Sequence, residues 1–507
     1  MDKIRLWEIR LCLPVLLFVL GSCSSPKVYT NPVIYADYSD PDLVCVDGEY
    51  WMTASSFNCT PGLQILHSTN LVDWEVVSAA LPDGIAYQGI STEETQHGNG
   101  VWAPSIRYHD GIFYIFWGDP DYGIYQVHTS DPLGKWSEPL CVIPGKGMID
   151  PCPLWDDDGS VWLVHAWAKS RCGFNNKLSV RRLSSDCTSA VSDTVTVFNG
   201  FDNGQVTTEG PKFYKHDGEY VILCPSGGVK AGHQLVLKSA TVTGKYEMRV
   251  AMHSGDVDVF GPHQGGWVTD AAGKDWFLHF EDRYAWGRVV HLQPMSWTAD
   301  GWCIIGVDAD QDGIGEPVSF HPRPASFRKK ARSGRSDLLF QYQGNAPSSA
   351  KGSSALDYIS NLWLYPSLKL EKISGPEMEY SDTYTLPQEG RQGIIVFGTD
   401  YATIEVAVRD GQAVILRKDC LKADKGGVET VVDSILVPVG CTKVTLGVSI
   451  KERRNFESPD YAGGDTYSAV CTFTCAFGSS APRALGQDFL AAPGRWIGAK
   501  VGSFHLK

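Results

Sequence analysis

The chain has little positive charge: 44 Lys and Arg stand against 58 Asp and Glu, a formal net charge of −14 over 507 residues. That balance leaves no basic footprint for nucleic acid and none for an anionic membrane surface, so neither is expected as a partner. Cysteines at metal-ligand spacing are missing too. None of the 14 Cys forms a Cys-x-x-Cys pair, which leaves a zinc site unsupported. Long apolar runs are scarce. The one candidate, Leu11 to Leu20, is too short to span a bilayer. Charged residues make up only 20% against 43% hydrophobic, a composition that buries large cores and argues against disorder. A length of 507 residues is more than one ordinary domain holds.

The start of the chain reads as an address. Lys3, Arg5 and Arg10 precede the apolar run, and Leu20-Gly21-Ser22-Cys23 follows it. This is the order of a signal peptide, and the small residues before Cys23 resemble a bacterial lipobox. The resemblance implies removal of residues 1–22 and lipid on the Cys23 thiol. The expected product is an exported lipoprotein at the periplasmic or cell surface, attached to the membrane by its lipid anchor only. Twelve Cys remain; Cys45, Cys224 and Cys471 sit in apolar, strand-like runs and are expected in the core. Disulfide pairing stays open.

What the chain does have is aromatic residues, unevenly placed. Thirteen of its 16 Trp lie between Trp51 and Trp302, and only Trp363 and Trp496 come later. One unit recurs in that first part: a turn around Gly followed by an aromatic-rich strand. It reads Asp47-Gly48-Glu49-Tyr50-Trp51, Asp110-Gly111-Ile112-Phe113-Tyr114, Asp158-Gly159-Ser160-Val161-Trp162, Asp217-Gly218-Glu219-Tyr220-Val221 and, degenerately, Ala272-Gly273-Lys274-Asp275-Trp276. Asp-Gly between apolar strands is a hairpin signal, because the turn needs positive φ. Five such units predict a five-bladed β-propeller over residues 31–307. A β-sandwich whose hairpins share Asp-Gly turns is the competing architecture.

The innermost strand of each propeller blade borders the central channel, so equivalent positions converge at the axis. Seven or eight residues before Asp47, Asp158, Asp217 and Asp270 stand Asp40, Asp150, Glu209 and His263, and in the second unit the slot falls in Trp102-Ala103-Pro104. The spacing therefore collects three carboxylic acids, one His and one Trp. Asp is depleted in strands, although a single Asp-Pro also serves as a plain turn former. Like charges held close raise at least one pKa, which suits an acid and a base working together.

These residues resemble glycoside hydrolase family 43. The matching stretches are Asn31-Pro32-Val33-Ile34 through Ser39-Asp40-Pro41-Asp42, Trp102-Ala103-Pro104, Ile149-Asp150-Pro151, Thr208-Glu209-Gly210-Pro211 and Gly287-Arg288-Val289-Val290. The resemblance implies Asp40 as general base, Glu209 as general acid and Asp150 as the residue that tunes the acid's pKa. It implies an inverting displacement, with the two carboxyls about 6.5–9.5 Å apart. It also implies Trp102 and Phe57 at the pocket wall and Arg288 on sugar hydroxyls. No cofactor is required; a structural calcium at the propeller axis, faced by His263, is the one ion the resemblance suggests. Asp308-Ala309-Asp310-Gln311-Asp312-Gly313 is similar to the opening of an EF-hand loop, but its twelfth position is Ser319 rather than Glu. It is expected to be mainly a turn-rich exit.

Residues 308–334 read as a polar linker with Pro317, Pro322 and Pro324, and residues 335–507 as an antiparallel β-sandwich built from short alternating strands. The ending Trp496 to Gly502 resembles the C-terminal sandwich of the family's β-xylosidase-type exo-enzymes. That relationship suggests a loop near Tyr461 to Tyr467 leaning over the pocket. The expected function is an exo-acting, inverting hydrolase of β-D-xylosides or α-L-arabinofuranosides, with an oligosaccharide or polysaccharide substrate. The alternative is a carbohydrate-binding lipoprotein without catalysis, against which the complete Asp40, Asp150 and Glu209 set argues. A retaining fructosidase-type enzyme would begin Asn-Asp-Pro-Asn, which this chain does not.

Overall fold

Turn chemistry comes first. Asp47-Gly48, Asp110-Gly111 and Asp217-Gly218 all carry positive φ at both residues (51° and 77°, 46° and 83°, 47° and 82°). This is the type I′ geometry, whose twist matches that of the strands it joins. The third and fifth copies differ. There only Gly159 and Gly273 are left-handed, and the loops close from Gly159 N to Asp156 O and from Gly273 N to Asp270 O, each 3.0 Å.

The structure, a computed structural model, describes residues 27–85, 95–256, 259–344, 360–454 and 467–506. The proposed cleavage site, Cys23 and the loop 461–466 lie outside the described residues. Five antiparallel four-stranded sheets follow one another between residues 42 and 305, each with its strands in sequence order. Their innermost strands are Asp42–Val46, Trp102–His109, Met148–Trp155, Lys212–His216 and His263–Thr269. This is the five-bladed propeller. Among the described residues no blade borrows a strand from the far end of the chain. The ring is clasped from outside instead: Val28–Thr30 pairs with Phe320–Pro322, Ile34 bridges Val290, and the Asn31 amide donates to the carbonyls of Leu292 (2.9 Å) and Val318 (2.7 Å).

The connector is strapped to blade one. Arg332 makes two 3.1 Å bonds to Glu49, the Phe327 ring lies 5.7 Å from Tyr50, and Arg335 N bonds Val76 O at 2.7 Å. Beyond it, a seven-stranded and a five-stranded antiparallel sheet form the sandwich. The chain's last strand, Lys500–Leu506, sits inside the larger sheet, between Lys369–Lys372 and Arg391–Phe397. The two domains share a core, because Ala285, Trp286 and Val289 of blade five are buried in the same cluster as the sandwich interior. Trp286 Nε1 donates to Gly375 O (2.8 Å) and Ala499 N to Ala285 O (2.7 Å). All twelve Cys among the described residues are free thiols. Cys224 and Cys471 are buried as expected, while Cys45 is only partly so.

Candidate active site

The entries to the innermost strands are bent. Asp40, Ala103 and Asp150 hold equivalent places in blades one to three, and all have left-handed φ (55°, 39° and 56°). Strand pairing also slips between Trp102 and Ser105, Ile149 and Cys152, and His263 and Gly265. Each such residue costs about 1–3 kcal/mol, and bulges of this kind re-aim side chains beside functional sites. Here they turn the slots inward. Asp40, Trp102, Asp150, Glu209 and His263 line one cavity of about 130 Å³, together with Phe57, Gln264, Arg288 and Trp496. That is well below the roughly 300–1,000 Å³ of typical small-molecule pockets, the scale of one sugar ring rather than a chain of them.

Asp40 is held from two sides. Ser55 Oγ donates to its Oδ2 at 2.6 Å and itself accepts from Ala103 N at 2.7 Å, joining blades one and two. Arg288 Nη1 lies 3.3 Å from both Asp40 oxygens, and its guanidinium stacks over Phe280 at 4.9 Å. Burial acts to weaken the Arg288 charge, but Asp40, Asp282 and Asp37 more than offset it and raise its pKa. Asp37 Oδ1 accepts from Arg288 N (2.8 Å) and from Ser39 Oγ (3.2 Å), tying the Asp40 segment to blade five.

Asp150 is buried, and its Oδ2 accepts from Gly210 N at 2.7 Å, next to Glu209. Desolvation, then the Glu209 charge and, less strongly, Asp40, push the Asp150 carboxyl well above the usual range. Glu209 is the more open of the two, with 27% of its side chain exposed. His263 Nε2 lies 3.4 Å from Glu209 Oε1, without the alignment of a hydrogen bond. Both His263 nitrogens and Gln264 Nε2 are buried with no hydrogen-bond partner among the described residues, which leaves polar capacity beside the cavity unused.

The wall is aromatic. Trp102 meets Phe57 edge-on at 6.3 Å and Trp496 at 6.0 Å, and its Nε1 is spent on Gly98 O (2.8 Å). Trp496 is the residue that sequence reasoning did not place here. It belongs to the sandwich, is 52% exposed and has φ of 66°. In the sequence its one mark was an isolated Trp in a tryptophan-poor region. Gln264 and Ser55 were also missed.

Beneath the cavity the axis is plugged. Lys212 Nζ, fully buried, donates to Pro104 O at 2.8 Å and lies 3.9 Å from Asp42 Oδ2, which pairs with Arg107 at 2.5 Å. The cavity is a blind pocket. Calcium takes six to eight oxygens, whereas His263 offers one nitrogen and no set of three His, Cys, Asp or Glu ligands gathers around it among the described residues. The His, Cys, Asp and Glu side chains described at the axis do not by themselves supply such a shell. Asp308, Asp310 and Asp312 do bring carboxylate oxygens within 4.8 Å of one another. Their oxygens accept from backbone N–H groups of the same loop, at Gly313 (3.2 Å), Asp312 (3.3 Å) and Ile314 (2.8 Å), as a turn requires.

Comparison with known proteins matches the propeller to a known family. The family described as Glycosyl hydrolases family 43 matches residues 29–303. A protein named "Putative beta-xylosidase" from Xylanibacter ruminicola is 38% identical over 302 residues, covering 59% of this chain and 54% of that protein. A non-reducing end alpha-L-arabinofuranosidase from Bacteroides ovatus is 27% identical over 319 residues, covering 58% and 56%. The chain thus spans about half the length of the curated relatives it matches. Among solved structures, xylan beta-1,4-xylosidase from Bacillus halodurans C-125 superposes with TM-score 0.76 at 21% identity, over 94% of this chain and 96% of its own. That likeness extends the shared fold through the sandwich.

Proposed function

Because the chain belongs to glycosyl hydrolases family 43, we propose that it is an exo-acting, inverting glycosidase that removes terminal pentoses from plant polysaccharides or oligosaccharides. The observation behind this reading is the meeting of Asp40, Asp150 and Glu209, from three different blades, in one aromatic-walled blind pocket. In this reading Asp40 is the general base. Held by Ser55 and Arg288, its carboxylate takes a proton from a water that attacks the anomeric carbon. Glu209 is the general acid and protonates the departing oxygen from the other side. Asp150 positions Glu209 through the Gly210 amide, and burial beside Glu209 favours the protonated form of Asp150 itself. Inversion leaves room for the water between base and sugar, and blades one and four are not neighbours in the ring.

Trp102, Phe57 and Trp496 receive the apolar face of a pentose, and Arg288, His263 and Gln264 meet its hydroxyls. The relatives named beta-xylosidase and alpha-L-arabinofuranosidase favour β-D-xylosides and α-L-arabinofuranosides. The blind floor and the Trp496 wall favour terminal sugars over mid-chain cutting. A panel of aryl glycosides tests the assignment. Hydrolysis of an aryl xyloside or arabinofuranoside that falls by about 10²–10⁴-fold in Asp40→Asn and in Glu209→Gln is expected, and wild-type rates in either variant would sink it. The lipobox-like Leu20 to Cys23 motif favours an exported, lipid-anchored protein. Labelled palmitate is expected in the intact chain and not in Cys23→Ala.

A further inference from the structure

The innermost strands have a second end. Residues from all five line a larger cavity of about 620 Å³ at the far mouth of the axis, with Phe327 of the connector at its edge. Asp42 and Lys212, both fully buried, separate it from the catalytic pocket. Its volume falls within the roughly 300–1,000 Å³ of small-molecule sites, which the catalytic pocket does not reach. We propose that this far mouth is a second carbohydrate site, holding a neutral pentose oligosaccharide away from the catalytic pocket.

Two observations select that ligand. The charged residues that line the cavity are already matched: Arg107 by Asp42, Lys215 by Asp156 at 2.6 Å and Asp157 at 2.7 Å. Asp270 accepts from the N–H groups of Ala272, Lys274, Ala325 and the Trp276 indole. An anionic ligand finds Arg107 and Lys215 already paired, and a cation finds the Asp270 oxygens already taken by N–H donors. The lining is also aromatic, with Tyr108 (40% exposed), Trp155 and Trp267 around the mouth, and such rings suit the C–H faces of sugars. A folded protein partner needs about 800 Å² on each side, and a recess made by strand ends is concave rather than flat. The proposal rests on the reading of the chain as a pentosidase, because that reading supplies the neutral oligosaccharide. A site here would keep the enzyme on its polymer while the pocket trims ends, raising the local substrate concentration.

Titration calorimetry on the Glu209→Gln chain with β-1,4-xylohexaose and with α-1,5-arabinohexaose is the test. Two sites per chain are expected for at least one of these sugars, and one site after Tyr108→Ser and Trp155→Ala are added. In the otherwise unaltered enzyme the same two substitutions are expected to leave aryl-pentoside kcat/KM within about twofold, which shows an intact fold. Should that pair lose activity, Thr269→Trp, which fills the recess from an exposed position, is expected to remove the second site alone. One site or none in Glu209→Gln, or two that survive these variants, overturns the proposal. So does a dimer in sedimentation that Thr269→Trp dissociates, since that gives the face to a second copy. Failure of the functional reading is distinct: the unaltered chain would then release no aryl pentoside.

Discussion

Ser55 shows how much one hydroxyl carries at the scale of the residue. It holds the Asp40 carboxylate at 2.6 Å and the Ala103 amide at 2.7 Å, so two blades are registered through one oxygen. Hydrogen bonds to charged groups contribute about 1.5–3 kcal/mol. Ser55→Ala is therefore expected to lower kcat by roughly 10- to 100-fold, measured on the same aryl pentoside that reports Asp40→Asn. Asp150 makes a prediction of opposite sign for stability. Its pKa is raised in the fold by burial and by Glu209, so above the ordinary carboxylate range the folded protein binds more protons than the unfolded chain. Stability then falls as pH rises through that window, by up to ~1.4 kcal/mol per pH unit. Denaturant titrations are expected to show a shallower fall for Asp150→Asn, while activity drops. An unchanged slope would mean that Asp150 does not hold its proton in the fold.

Elements decide where these residues point. The positions that converge at the axis were legible in the sequence because the turns that mark them are local. Asp-Gly turns announce themselves, and counting back seven or eight residues reached Asp40, Asp150, Glu209 and His263, all of which line the pocket. Lys212 was not legible. A Lys in an alternating strand reads as solvent-facing, and only ring closure turns it onto the axis with Asp42. Trp496 escaped for a related reason, since it reaches the pocket from another domain. Gly287 stands where these elements meet. Its φ is +69°, and a Cβ there would run into Asp37 Oδ1 and Gly498 N. Asp37 holds the Arg288 amide, so the disturbance reaches Asp40 through Arg288. Gly287→Ala is expected to cost about 1–3 kcal/mol of stability and at least tenfold in kcat. Normal turnover in a destabilised variant would separate the seam from the site.

As a whole molecule, the protein is a propeller whose pocket is finished by its sandwich. Trp286 is the bolt between them, 1% exposed and bonded to Gly375. Trp286→Ala is expected to lower stability by roughly 3–5 kcal/mol and to raise KM as the Trp496 wall loosens. His97 lies on the same seam, buried against Trp363 and donating from Nε2 to the Trp363 carbonyl at 2.8 Å. Burial lowers its pKa to about 4. The unfolded chain therefore binds the extra proton first, and stability is lost as pH falls from the ordinary His value near 6.5 toward 4. His97→Leu is expected to flatten that acid loss in thermal melts taken between those pH values. The division of tryptophan along the chain foretold two domains but not their shared core, because contacts between domains leave no periodic mark in sequence. The most direct test of the account is stereochemical. Proton NMR of the first sugar released from whichever aryl pentoside is cleaved should show the anomer opposite to that of the substrate, as a water activated by Asp40 and a proton given by Glu209 require. Release of the same anomer would mean a covalent intermediate and would contradict the assignment of Asp40 as a base.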